Sequence, residues 1–239
     1  MKKKCTAIVL AAGQGKRMRT KIQKQYLLMA GKPVLYYSLK AFEKSEIIDE
    51  IYLVTGKGDE AFCREQIVNK YGIEKVTHIL CGGAERYLSV WNALKEMDEG
   101  GYVFIHDGAR PFIDGKLIQR AYDEVVKSKA CVVGMPVKDT IKIADDKLNV
   151  EETPDRSRVW MVQTPQVFET TLVKRAYADL IHQNISNVTD DAMVVEQMSG
   201  HAIHLVKGSY ENIKITTPED LEIGELFVKC AYIVVWAWA

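Results

Sequence analysis

The first forty-two residues of the 239-residue chain contain no Asp or Glu, although they hold ten Lys or Arg. Other absences narrow the field. The five cysteines (Cys5, Cys63, Cys81, Cys131 and Cys230) include no C-x-x-C pair, so neither a zinc site nor a disulfide framework is indicated. An odd number of cysteines without a signal peptide suits a reducing cytoplasm. Met1 to Lys4 has the charge of a signal n-region, but the apolar run behind it is only about six residues long. The apolar tail Ala231–Ala239 is too short to span a bilayer, so no membrane role is expected. It packs on the domain, anchors weakly or is a terminus without a role. Two phosphate-binding loops are missing as well. No Gly-Lys-Ser/Thr run follows the first glycines, which excludes a Walker A loop. Met18 stands where a dinucleotide fingerprint needs its third glycine.

What is present begins with Cys5 to Gln25. Cys5–Leu10 is a short apolar run with β-branched residues, the pattern of a buried strand. Ala11 and Ala12 are small and let backbone approach a ligand, and Gly13 and Gly15 accept backbone angles that other residues resist. Lys16, Arg17, Arg19, Lys21 and Lys24 follow. A buried strand that runs into a small, basic loop suits a polyphosphate, with backbone N–H groups cradling the anion and cations neutralising it. The plainer alternative is a solvated basic loop. Without residues 1–42 the chain has 22 basic and 32 acidic side chains, so the positive charge is local to one site. That favours a small anionic substrate over a nucleic-acid surface. Length and a 47% hydrophobic content favour one domain, residues 1–230, with 231–239 as a tail.

Strand and helix patterns alternate along the chain. Strands are predicted at Ile51–Thr55, Val76–Leu80, Tyr102–His106, Ala130–Met135 and His201–Val206. Helices are predicted at Pro33–Phe42, Glu60–Lys70, Ala84–Met97, Lys116–Val126 and Thr170–His182. The fold class is therefore α/β, a mostly parallel sheet with helices on both faces. Ligands of such sheets sit at the carboxyl ends of strands, so the loops after Leu10, Leu80, His106 and Met135 are expected to converge.

Those loops are polar. Gly82 and Gly83 open a helix with Ser89 one turn in, facing a nucleotide or forming a plain turn. In H-D-G-A-R-P, Asp107 and Arg110 sit at a strand end, suited to Mg²⁺ and a phosphate respectively, or to each other. His106 reads as a packed residue rather than a base. Gln163–Phe168 reads as a turn. Thr189–Ala192 carries a helix cap and first-turn acids. Lys214 lies on an extended segment before a helix with Thr217 as cap and Pro218 in its first position, and serves as surface charge or phosphate ligand. Two apolar-polar alternations around D-D-K-L-N, within about 137–160, predict a protruding β-arm carrying Lys138, Asp139, Thr140, Arg156 and Arg158. A two-stranded arm is not stable alone, which makes a second copy of the chain its expected partner.

A-A-G-Q-G-K-R-M, K-Q-Y, G-G-A-E-R-x-x-S-V, H-D-G-A-R-P, K-D-T-I-K, W-x-x-Q-T-P-Q, T-D-D-A and N-I-K-I-T-T-P-E-D-L resemble, in order, the 2-C-methyl-D-erythritol 4-phosphate cytidylyltransferases. The likeness covers nearly all of residues 4–228 and leaves out the tail. It implies a Rossmann-like fold, a cytoplasmic homodimer joined by β-arms, Mg²⁺, and transfer of CMP from CTP to the methylerythritol phosphate in non-mevalonate isoprenoid synthesis. By motif, Ala11, Ala12, Gly13, Gly15, Gly83, Ser89 and Lys214 would serve the nucleotide. Arg17 and Lys24 would be catalytic, gripping the triphosphate. Asp107 would orient metal and substrate. Arg110, Thr140 and Lys214 would serve the substrate phosphate, with Arg156 and Thr164 reaching in from the other subunit. Gln23 stands where the family often has Pro, and Ala84 replaces an acid seen in some members. Ribitol 5-phosphate cytidylyltransferases share several motifs and remain the alternative, with a non-catalytic nucleotide-binding module as the third reading.

Overall fold

The computed structural model describes residues 2–18, 22–183, 185 and 187–237, and for Lys16 and residues 231–237 only the backbone. Arg19 and Lys21 of the basic loop fall outside the described residues. Seven strands form the central sheet, in the order β11-β7-β10-β6-β1-β4-β5. They are β1 (Cys5–Ala11), β4 (Glu50–Thr55), β5 (Val76–Cys81), β6 (Tyr102–Asp107), β7 (Ala130–Pro136), β10 (Trp160–Glu169) and β11 (His204–Lys207). β1 pairs in parallel with both β4 and β6, β4 with β5, and β11 with β7. β10 alone runs antiparallel, between β6 and β7. The strand order reverses at β1, which leaves an open crevice at its carboxyl end.

The apolar run of β1 is buried on both faces, as a central parallel strand requires. Ala7, Val9 and Ala11 turn to one side, where helices α1 (Val34–Lys44) and α4 (Gly115–Ser128) cover the sheet with α2 (Glu60–Cys63) and its π-helical continuation Arg64–Asn69. Ile8 and Leu10 turn to the other side, against α3 (Arg86–Glu96), α5 (Thr170–His182) and α6 (Asp191–Ser199). Each fully buried aliphatic side chain in these layers contributes roughly 1.5–3 kcal/mol. Helix starts follow local chemistry. Asp114 accepts the Leu117 N–H at 2.7 Å, and Asp190 accepts that of Met193 at 2.9 Å. Each cap is worth about 1 kcal/mol.

Two expectations need correction. Gln163–Phe168 is no turn but part of β10, with a register shift between Val162 and Gln166 where Thr164-Pro165 interrupts the ladder. Thr217 is not seen capping α7 (Pro218–Ala237); Asp220 instead reaches back to accept the N–H groups of Thr216 and Thr217, both at 2.9 Å. The arm forms as β8 (Ile143–Ala144) and β9 (Val150–Glu152), a short antiparallel ladder. Its turn is held by Asp145, which accepts from the N–H groups of Lys147 and Asn149. A small pair, β2 (Leu28–Met29) with β3 (Lys32–Pro33), precedes α1. No helix among the described residues is long and apolar enough to cross a membrane.

Candidate active site

A cavity of about 890 Å³ opens at the carboxyl ends of β1, β4, β5 and β6. Ala12, Gly13, Lys24, Gly83, Arg86, Asp107 and Lys214 are among the residues that line it. The loops after Leu10, Leu80 and His106 thus converge as expected. The loop after Met135 does not, because β10 lies between β6 and β7 and sets β7 about 10 Å from β6. Gly56 and Lys57, after β4, line the cavity instead.

The loop after β1 is tied to the Lys24 turn. Buried Gln25 donates through Nε2 to the carbonyls of Ala11 (2.6 Å) and Gly13 (3.1 Å). Gly15 adopts φ +62°, and a Cβ there would lie 3.2 Å from the Lys24 nitrogen. A side chain at position 15 would therefore strain the backbone and push the turn away. Gln23, where proline was expected from the family pattern, donates to Asp59 Oδ2 at 2.8 Å and so anchors the turn by a hydrogen bond. Lys24 itself is half-buried and, among the described residues, pairs with no carboxylate. Burial first, then the neighbouring charges of Lys214, Arg17 and Arg110, lower its pKa from 10.5 to about 8 against the pull of Asp107.

On the β5 side, Ser89 is buried beside the cavity. Its hydroxyl accepts the Gly83 N–H at 3.0 Å and donates to the Glu85 carbonyl at 3.2 Å, so it shapes the turn before α3. A Cβ on Gly82 would sit 2.5 Å from the Ala12 Cβ and 2.9 Å from Ser89 Oγ. The two loops therefore touch only because position 82 has no side chain.

Asp107 is the electrostatic centre. Lys214 Nζ lies 2.7 Å from its Oδ2, Arg110 Nε 3.9 Å from the same atom and Arg86 Nε 3.4 Å from Oδ1. Burial pushes the carboxyl up, but the three cations outweigh it and hold it well below the usual carboxylate range. Lys214 is aimed by its neighbours: buried Ile215 bonds backbone to backbone with Ala109, which leaves the lysine on the opposite side of an extended segment.

Not every expected residue joins this group. Arg17 is exposed on the 3₁₀ turn Lys16–Met18, although its charge still acts on Lys24. Arg110 is nearly enclosed and donates to the Asn212 carbonyl at 2.8 Å rather than lining the cavity. Thr140 and Arg156 are exposed on the arm and do not line the cavity of their own chain; Arg156 donates to the Lys138 carbonyl at 3.0 Å. Thr164 is buried within its own chain instead of reaching toward another. Its hydroxyl accepts the Asp107 N–H at 3.1 Å and lies 3.0 Å from His106 Nδ1. His106 Nε2 is 3.0 Å from the Arg110 carbonyl, which can only accept, so the imidazole carries its proton on Nε2 and Thr164 donates to Nδ1. Burial above all lowers the His106 pKa to about 4 and keeps it neutral, which fits a packed residue.

Gln25, Lys57 and Arg86 also line the cavity, none of them a residue to which the sequence pattern assigns a role. Arg86 forms a bidentate pair with Asp191, at 2.9 and 2.7 Å. Asp191 is fully buried and also accepts from Tyr177 Oη at 2.6 Å, while Gln166 Oε1 accepts the N–H groups of Asp191 and Ala192. Position 191 therefore touches the cavity only through Arg86.

Among the described residues, no three His, Cys, Asp or Glu side chains gather in a way that would hold a metal ion. The donor set does fit Mg²⁺ carried by a nucleotide, which keeps phosphate and water ligands and takes one or two carboxylates from protein. Among the described residues Asp107 Oδ1 has only the long Arg86 contact, which leaves it open to act as that carboxylate.

A mostly parallel sheet whose order reverses at β1, with glycine-bearing loops and, among the described residues, a lysine without a carboxylate partner at its crevice, fits an α/β nucleotidyltransferase. Comparison with known proteins narrows the class. A model of the 2-C-methyl-D-erythritol 4-phosphate cytidylyltransferase family matches residues 5–230. Proteins of that name from Lachnospira eligens and Lachnoclostridium phytofermentans are 53% and 49% identical to this chain. The alignments cover 94% of this chain and 99% of the former protein, and 95% and 97% for the latter. The crystal structure of 4-diphosphocytidyl-2C-methyl-D-erythritol synthase from Anaerococcus prevotii superposes with a TM-score of 0.83 at 33% identity, covering 95% of this chain and 98% of that one. The chain belongs to the 2-C-methyl-D-erythritol 4-phosphate cytidylyltransferase family.

Proposed function

We propose that this protein transfers CMP from CTP to 2-C-methyl-D-erythritol 4-phosphate, giving 4-diphosphocytidyl-2-C-methyl-D-erythritol and pyrophosphate. The observation that carries the reading is Lys24, a half-buried cation without a carboxylate partner among the described residues, beside Lys214 in a glycine-lined crevice. Such a charge is costly until an anion arrives. A phosphate monoester is mostly dianionic at pH 7, so its oxygen attacks the α-phosphorus without a general base. The new P–O bond forms as the bond to the leaving pyrophosphate breaks. The obstacle is repulsion between two anions, and Lys24 with Arg17 would stabilise the charge that gathers on the equatorial and leaving oxygens. Lys214 and Asp107 would orient the reactants, and Ala11, Ala12, Gly13, Gly15, Gly83 and Ser89 would shape the nucleotide pocket. Mg²⁺, held at Asp107 and by the triphosphate, would supply further charge neutralisation.

Residues 1–230 act as one nucleotidyltransferase domain in the cytoplasm, where the free thiols of Cys5, Cys63 and Cys131 stay reduced. The arm packs across a two-fold axis against a second copy. Ile143, Leu148, Val150, Met161 and Val162 support this, since they are exposed on the arm and its root. Thr140 and Arg156 would then complete the neighbour's substrate pocket, with Arg110 behind it. One assay tests the reading: pyrophosphate release from CTP with the methylerythritol phosphate and, separately, with ribitol 5-phosphate. Release with the first and little with the second is expected. The reverse result overturns the substrate assignment, and no release with either overturns the enzyme.

A further inference from the structure

The contact between Arg86 and Asp107 is oddly incomplete. Arginine beside an open carboxylate ordinarily engages it with two parallel hydrogen bonds at about 2.7–2.9 Å. Here both terminal nitrogens of Arg86 are spent on Asp191, at 2.9 and 2.7 Å, and only Nε faces Asp107, at 3.4 Å. Asp191 is itself fixed: it is fully buried, takes the Tyr177 hydroxyl at 2.6 Å, and its backbone N–H is received by Gln166. The other side of Asp107 is already taken, since Lys214 holds Oδ2 at 2.7 Å. Among the described residues Oδ1 is thus the one oxygen of the carboxylate without a short partner, and the reason lies on α6.

We propose that Asp191 is a positioning residue that holds the Arg86 fork away from Asp107, so that Asp107 Oδ1 stays available to a divalent cation borne by the nucleotide. The inference rests on the proposed reading of the site as one that takes a metal–nucleotide complex. Arg86 and Asp107 both line the cavity, whereas Asp191 does not, so Asp191 acts on the ligand only through Arg86. Without the charge at position 191, the fork has one carboxylate left within reach. It would rotate onto Asp107 and fill Oδ1, the atom the cation needs. The buried pair with Asp191 therefore does more than fasten α3 to α6: it keeps an arginine from competing with the metal.

The test is Mn²⁺ binding in the presence of CTP, read by the loss of the free Mn²⁺ electron paramagnetic resonance signal. Wild type, Asp191→Asn, Arg86→Gln and the double variant would be compared, each first checked for cooperative melting. Asp191→Asn should weaken Mn²⁺ binding about tenfold, the usual scale when a partner of a metal ligand is lost. The double variant, in which both buried charges are removed together, should recover wild-type binding because the competing fork is gone. A merely structural role predicts the opposite, with the double variant no better than the single. If Asp191→Asn fails to fold, the double variant and Arg86→Gln still decide. Binding equal to or tighter than wild type supports the proposal, and binding lost in either overturns it. Unchanged binding in a folded Asp191→Asn also overturns it. Wild type that takes up no Mn²⁺ with CTP overturns the metal reading of the site itself, a result distinct from the others.

Discussion

Lys24→Met should make the protein more stable while nearly abolishing turnover. An ordinary lysine titrates at 10.5, and Lys24 titrates at about 8 because burial and neighbouring cations disfavour its charge. At about 1.4 kcal/mol per pH unit, the difference corresponds to ~3 kcal/mol if the side chain were dry. It is only half-buried, and solvent screening brings the expected penalty to about 1 kcal/mol. The sign follows from linkage. Below pH 8 the lysine is charged in both folded and unfolded chains, and the folded state carries the whole penalty. Between pH 8 and 10.5 the folded lysine sheds its proton first, and the penalty fades; above 10.5 it is gone. Methionine keeps the stem and removes the charge. Thermal melts of the two proteins at pH 7 should differ by about 2–4 °C in favour of the variant, the shift expected for ~1 kcal/mol in a chain of this size. The gap should narrow from pH 8 upward and close above pH 10.5. Turnover should fall by about two to three decades, the scale for one lost transition-state contact. A variant that melts lower than wild type at pH 7, or a gap that does not narrow with pH, would refute the claim that Lys24 is held charged at a cost. Turnover intact with only a raised KM for CTP would show that Lys24 merely binds the ground state.

Four further outcomes are expected. CTP affinity should be flat below pH 8 and fall by up to about tenfold per pH unit above it; calorimetry in buffers of different ionisation enthalpy would show proton uptake above pH 8. CTP should be strongly preferred over ATP and GTP, since the loops after β1 and β5 touch at Gly82 and leave unpaired groups when a purine enters; similar rates would sink that idea. Gly82→Ala should destabilise by about 1–3 kcal/mol through overpacking against Ala12 and Ser89, and should block nucleotide binding, measured by urea titration and calorimetry. Lys24→Ala and Arg156→Ala, each nearly inactive, should regain activity when mixed under subunit exchange, because one site of a mixed dimer carries neither lesion. No recovery despite proven exchange would place Arg156 in its own subunit's service or in none.

What could be read from the chain depended on how far apart the interacting groups lie. The β1 strand, its glycine-bearing loop and the following cations are contiguous, and Asp107 and Lys214 each sit in a short, distinctive run. From those runs Leu10, Gly13, Lys24, Asp107 and Lys214 meet in the cavity. Thr164-Pro165 has turn chemistry, which hid an interior strand whose pairing is set by β6 and β7 rather than by its own residues. Asp191 is a helix's first residue, a sufficient local reason for an acid. Its bond to Arg86 spans 105 positions and leaves no periodic trace. Gln25 looks like a polar surface residue, yet it is buried because two loop carbonyls point at it. Thr140 and Arg156 lie exposed on the arm, and no contact within one chain marks what they serve.

The reversed strand β10 also governs when the sheet can be finished. β6 and β7 each bond to β10, so neither half of the sheet has its neighbour until that strand exists. Between Asp107 and Trp160 a ribosome adds roughly fifty residues, about 3–10 s of synthesis at about 5–20 residues per second. During that interval the β5-β4-β1-β6 half presents the open edge of β6, an apolar strand that templates unwanted pairing. The emerging chain thus waits on a late strand to close an early one, and chaperone dependence should rise with any slowing of translation between β7 and β10.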